Sequence, residues 1–118
     1  MERNIELGML LSWYGAFLTT RQQELLAMHV DEDLSLSEIA EREGISRQGV
    51  HDALRRAETQ LHEMEARLGL VRRAKAVETG LKVLYTEVEQ AHLPDEERQS
   101  LLQHVETLLN QWEDDHGV

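Results

Sequence analysis

The stretch LSLSEIAEREGISRQGVHDALRR, residues 34–56, decides the fold. Ser35 stands where an N-cap belongs, and Leu36, Ile39 and Ala40 recur behind it at helical spacing. Gly44 interrupts the pattern where a positive φ is free of steric cost. Ser46 is placed to cap a second helix that turns Val50 and Leu54 inward and Arg47, Gln48, His51 and Arg55 outward. Ala40 is small where the two helices cross, and Ile45, Val50 and Leu54 are expected to fill the core beneath them. Helix, tight turn and a second helix with a polar, basic outer face is the arrangement that presents side chains to a nucleic-acid groove. A plain αα-hairpin in a bundle competes, since Gly44 and Ser46 suit it too; the outward set at 47, 48, 51 and 55 favours the first reading.

Working outward, helical spacing recurs almost throughout and no strand alternation persists, so the fold class is all-α. Ile5, Leu7, Leu10, Leu11, Tyr14, Phe17 and Leu18 predict an amphipathic first helix ending near Thr19. Trp13, Tyr14 and Phe17 are read there as core rather than as a stacking platform. Thr20-Arg21-Gln22-Gln23 predicts a capping box that opens a second helix running to about Val30. From Val50 the apolar positions run Val50, Leu54, Ala57, Leu61, Met64, Leu68 and Val71, a heptad seam. That helix meets no breaker before Gly69 and is roughly 33 Å long at the standard rise. Beyond it the seam shifts to Ala74, Val77, Leu81, Leu84 and Val88, which predicts a bend or break near Gly69.

Leu93-Pro94-Asp95 opens a last helix with Leu101, Leu102, Val105, Leu108, Leu109 and Trp112 on one stripe, and residues 113–118 are expected to fray. The organisation expected is a trihelical helix-turn-helix domain over residues 1–68, including its long recognition helix, and a C-terminal helical extension over residues 69–118. The seam has two candidate covers, the chain's own first and last helices or a second copy; its length favours a homodimer.

Charge narrows the partners. The 118 residues carry a net charge of -11, yet residues 47–75 hold seven bases against four acids, net +3, between flanks of -6 and -8. A polyanion would be repelled everywhere except along that central helix. Ser46, Arg47, Gln48, His51, Arg55 and Arg56 are the candidate nucleic-acid contacts. Arg67, Arg72, Arg73 and Lys75 form a second basic cluster that suits an RNA backbone or an acidic protein. Its bland alternative is a solvated helix surface with pairs such as Glu63 and Arg67.

Other chemistry is excluded. The longest apolar run, residues 7–18, is shorter than the roughly 18 residues of a membrane span and lacks a cleavage site, so a soluble, cytoplasmic protein is expected. Without cysteine there is no disulfide, thiolate nucleophile or cysteine-ligated zinc. Six histidines form no HExxH-type set, and the calcium-loop-like start at Asp31, Asp33 and Ser35 fails at Leu36 and Arg42, where glycine and glutamate are needed. With no phosphate loop or nucleophile elbow either, no metal, cofactor, small-molecule substrate or enzymatic activity is expected.

Two resemblances follow. LTTRQQELLAMHV and LSLSEIAEREGISRQGVHDALRRA, between Leu18 and Ala57, resemble region 4 of bacterial sigma factors, a trihelical module that reads a promoter element in the major groove. Glu58 departs from the basic continuation common in that family. The longer resemblance, over roughly residues 5–75, is to the YlxM family of small bacterial helix-turn-helix proteins. It is carried by Trp13, Tyr14 and Phe17, by DEDLSLSEIAE and ISRQGV, and by the continuation after LRRAE. The usual position of that family's genes, beside those for the signal recognition particle and its receptor, implies a part in co-translational targeting. The expectation is thus an accessory or regulatory protein that binds particle RNA or the particle's GTPase. The alternative is a dimeric, sequence-specific transcriptional regulator on DNA.

Overall fold

The computed structural model describes residues 2–116, with side chains described for residues 3–113. Among these residues there are six α-helices, one 3-10 turn and no strand, so the fold is all-α. The helices are α1 (Glu2–Tyr14), α2 (Thr20–Val30), α3 (Leu36–Glu43), α4 (Arg47–Leu68), α5 (Leu70–Gln90) and α6 (Asp95–His116). The chain divides into two compact units between Val71 and Arg72.

In the first unit α4 packs against α1, α2 and α3. Leu7, Leu10 and Tyr14, Leu25 and Leu26, Ile39 and Ala40, and Val50, Leu54, Ala57 and Leu61 form one buried cluster. The seam that was expected to draw in a second copy is therefore filled from within the chain over Val50, Leu54, Ala57 and Leu61. Farther on, Leu68 is 48% exposed because α4 ends there, and Val71 in the next helix takes the buried place.

Several local expectations hold. Ser35 caps α3 in a reciprocal box with Glu38, its hydroxyl accepting the Glu38 amide and its own amide donating to the Glu38 carboxylate; that amide first, then the Ser35 side chain, hold the carboxyl below its ordinary value. Gly44 has φ 69° and Gly69 φ 64°, both left-handed, so the predicted interruption at Gly69 is a full break between α4 and α5.

Others need correction. The α2 box is made by Thr19 with Gln22, one residue before the expected pair. Gln23 is diverted to the carbonyls of Gly15 and Leu18, at 2.7 and 3.1 Å. The first α-helix stops at Tyr14, and a 3-10 turn over Gly15–Phe17 follows. With three residues per turn instead of 3.6, that turn loses the phase of α1, and Phe17 ends 73% exposed. Ile5, two residues from Leu7 and so nearly opposite it on the helix, is exposed too. Ile45 lies in the turn with its N–H on the Ala40 carbonyl, and at 39% exposure it belongs to the rim of the core. Residues 113–116, expected to fray, continue α6, while Gly117 and Val118 lie outside the described residues.

What closes the first unit is a polar contact at the break. The fully buried Tyr14 donates its hydroxyl proton to the Glu65 carboxylate at 2.6 Å. The Leu70 amide donates to the Tyr14 oxygen at 3.1 Å, and the Val71 amide donates to Glu65 at 3.0 Å. Two free donors at the start of α5 are thus satisfied by side chains fifty-odd and six residues upstream. Burial first, then the Glu65 bond, push the Tyr14 phenol above its ordinary value of 10.0.

In the second unit a short connection over residues 91–94 joins α5 to α6. Arg98 reaches back to the carbonyls of Ala91 and Leu93, at 3.0 and 2.9 Å, and ties that connection to the first turns of α6. Lys82 and Tyr85 of α5 face Glu106 and Leu109 of α6 across a shallow cleft.

Candidate nucleic-acid interface

The turn from Gly44 to Ser46 sets the start of α4. Gly44 supplies the left-handed residue, and the Ser46 hydroxyl accepts the Gly49 amide at 2.9 Å. Ser46, one of the expected contacts, is thus occupied as the N-cap. Arg47, Gln48, His51, Arg55 and Arg56 are all exposed, as a helix with Val50, Leu54 and Ala57 facing inward requires.

They do not form one uniform face. Arg47, His51 and Arg55 follow one another at steps of four along one flank. Arg56 lies about a quarter turn from Arg55, toward the other flank. Between the flanks, Asp52 accepts the Gln48 amide at 3.0 Å and lies 3.5 Å from the His51 ring. Gln48 is therefore held by a carboxylate on its own helix, in the middle of the expected contact surface.

Two grooves run beside α4, and Arg55 and Thr59 border both. One is lined by Gln22, Asp52, Arg56 and Glu63, and Gln22 there donates to Gln60 at 2.9 Å. The other gathers Arg3 from α1, His29 from α2, and His51, Glu58 and His62 from α4. Sequence reasoning missed Arg3, His29 and His62 as members of this surface. His62 was findable, being seven residues after Arg55 and so on the same flank, but Arg3 and His29 arrive only through packing.

The charge pattern of this unit is specific. Each arginine outside α4 meets a carboxylate: Arg3 with Glu58 at 2.7 Å, Arg21 with Glu43, and Arg42 with Glu32 at 3.2 Å. Among the described residues Arg47, Arg55, Arg56 and Arg67, all on α4, have no carboxylate within 4.0 Å. Among the described residues of this unit, the arginines without a carboxylate partner thus lie along α4.

The second basic cluster is divided. Arg67 is in the last turn of α4, whereas Arg72, Arg73 and Lys75 lie on α5 beyond the Gly69 break, in the second unit. All four are exposed. The cations do not line a single continuous helix, because left-handed Gly69 ends the first one.

No group of three or more His, Asp or Glu side chains able to hold a metal ion occurs among the described residues. None of the described helices is long and apolar enough to cross a membrane.

A small trihelical unit with a capped turn and an exposed cationic second helix defines a helix-turn-helix protein. The chain belongs to the UPF0122 family, described as "Putative helix-turn-helix protein, YlxM / p13 like", whose profile matches residues 1–105. The match runs well past the residues that carried the resemblance in the sequence. A UPF0122 protein of Symbiobacterium thermophilum is 51% identical over 65 residues, 55% of this chain and 61% of that protein. One from Clostridium botulinum is 40% identical over 74 residues, 63% of this chain and 68% of that protein. One from Acetivibrio thermocellus is 48% identical over 71 residues, 60% and 61% of the two chains. The aligned stretches thus span about three-fifths to two-thirds of these relatives. Membership in this family points to a regulatory or DNA-binding role.

Proposed function

We propose that this chain is a non-enzymatic, cytoplasmic accessory factor of the signal recognition particle pathway, working as a homodimer whose C-terminal extension carries the subunit contact. It acts by laying the exposed flank of α4 on a polyanion, foremost the particle's RNA, with the particle's GTPase as the other candidate. One observation carries the reading: the arginines of the first unit that lack carboxylate partners are all on α4. In a chain of net charge -11, phosphate is attracted there and repelled elsewhere. Arg47, His51, Arg55 and Arg56 make the contact in this reading, and Arg67 extends it along the same helix; Arg72 and Lys75, on α5, belong to a second contact with RNA or a protein partner. The pathway assignment itself rests on the kinship with YlxM.

A regulator reading duplex DNA is favoured by one feature, the exposed Arg47 and Gln48 in the first turn of a capped second helix. Against it, Gln48 already spends its amide on Asp52.

Titration of the purified chain against particle RNA, the GTPase and random duplex pools at two salt concentrations tests the reading. The phosphate contacts of Arg47, Arg55 and Arg56 alone correspond to a roughly 20–40-fold loss of RNA affinity between 50 and 200 mM salt, and each further contact steepens it. Tighter binding to duplex than to particle RNA would favour the regulator, and binding to none of the three would overturn both.

A further inference from the structure

The second unit leaves an apolar stripe of α5 uncovered. Arg73, Ala76, Val77, Gly80, Val83, Leu84 and Glu87 share about a third of the helix circumference, and all seven are exposed. Val77, Val83 and Leu84 are 45%, 51% and 44% exposed. Ala74, Leu81, Tyr85 and Val88, on the adjoining side of the helix, are the better-covered positions. Ala74 and Val105 are the buried apolar side chains of this unit among the described residues, too few to hold a helical hairpin by themselves.

The exposed stripe is symmetric about Gly80. At equal distances on either side stand Val77 and Val83, then Ala76 and Leu84, then Arg73 and Glu87. A cation at one end thus answers an anion at the other, with apolar residues between. Glycine is unfavourable in a helix interior, and among the described residues nothing lies within 4 Å of where a Gly80 Cβ would be, so none of their contacts calls for it. It is what a close crossing of two helix backbones needs.

We infer that α5 pairs with the same helix of a second copy, antiparallel, about a two-fold axis passing beside Gly80. This specifies the surface of the homodimer proposed above and rests on that reading. Two-fold symmetry sets Arg73 against the partner subunit's Glu87, Val77 against the partner subunit's Val83, and Ala76 against the partner subunit's Leu84. Every residue of the stripe then has a partner of matching chemistry, and both ends of the contact carry an ion pair. Arg73 leaves the RNA-facing set. On the same helix Lys75 points away from the stripe, whereas Arg72 borders it beside Val83.

Sedimentation velocity of the full-length chain over a wide concentration range tests the pairing. Arg73→Glu and Glu87→Arg each place like charges together and are expected to weaken dimerisation about tenfold or more. The combined Arg73→Glu/Glu87→Arg variant restores it, because the reversed pairs match again. Gly80→Leu, which meets open space within the chain, keeps the helical circular dichroism and loses the dimer. A wild-type chain that is monomeric throughout would overturn the dimer itself. A dimer indifferent to Gly80→Leu and to both single reversals would leave the dimer standing and overturn this surface.

Discussion

Removing one oxygen atom, by Tyr14→Phe, tests how the first unit is closed. The hydroxyl donates to a carboxylate at 2.6 Å and accepts the Leu70 amide at 3.1 Å, with the ring fully buried. A hydrogen bond to a charged group is worth about 1.5–3 kcal/mol, and the Leu70 amide, left at a partly exposed helix start, recovers a bond to water. The net loss is therefore set at about 2–3 kcal/mol, a sizeable share of the 5–15 kcal/mol that holds a typical domain. For a unit of this size that lowers the melting temperature by roughly 10–20 °C. Urea unfolding followed by circular dichroism reads it as a shift of midpoint at constant slope. Glu65→Gln keeps an acceptor for Tyr14 and the Val71 amide but removes the charge, so it costs less. Because the two groups meet, Tyr14→Phe and Glu65→Gln together cost less than the sum of the single losses. A Tyr14→Phe loss below about 0.5 kcal/mol, or strictly additive losses, would refute the polar closure.

Four further outcomes follow from the local geometry. Gly44→Ala meets no atom within 4 Å, so its cost is that of a left-handed backbone alone, about 1–2 kcal/mol in thermal unfolding; a neutral effect would contradict the αL assignment. Ser35→Ala removes the α3 cap and costs about 1 kcal/mol by the same measurement. Glu38, with its folded pKa below the ordinary 4.5, adds stability that is complete above that pH and is lost as pH falls through the lower folded value. The acid limb of the stability profile should therefore flatten in Glu38→Gln. Tyr14 runs the other way: its raised pKa makes its contribution complete below pH 10 and lost as pH rises through the folded value, a loss that Tyr14→Phe does not show.

How much of this was legible in the sequence depends on the range over which each feature is determined. Ser35, Gly44 and Ser46 act within a turn of themselves, and their sequence readings as cap, turn and cap stand in the structure. Thr19 and Thr20 offered two equivalent Thr-x-x-Gln pairs, and only the 3-10 turn before them, with carbonyls that claim Gln23, decides between them. The same turn carries Phe17 out of the stripe it shares in the sequence. The seam of α4 was visible, but what covers it was not, since three separate helices have to arrive before Val50, Leu54, Ala57 and Leu61 are closed. Glu65 reads as one more surface acid until Tyr14 is brought to it across fifty-one positions.

The candidate interface divides in the same way. The exposure of Arg47, His51 and Arg55 follows from helix periodicity alone, whereas the neutralisation of Arg3, Arg21 and Arg42 by distant carboxylates is a tertiary fact. That second fact turns a modest local excess of arginine into a cationic strip. The antagonism of Asp52 toward Gln48 and His51 was four and one residues away and could have been noticed at the outset.

The role of α4 as the polyanion-binding helix is tested most directly by the salt dependence of particle-RNA binding, measured by fluorescence anisotropy for the wild type and for Arg47→Ala/Arg55→Ala. Loss of two phosphate contacts is expected to weaken binding and to lower the slope of log K against log salt by about two. An unchanged slope and affinity in the double variant would place the contact elsewhere on the molecule and contradict the account.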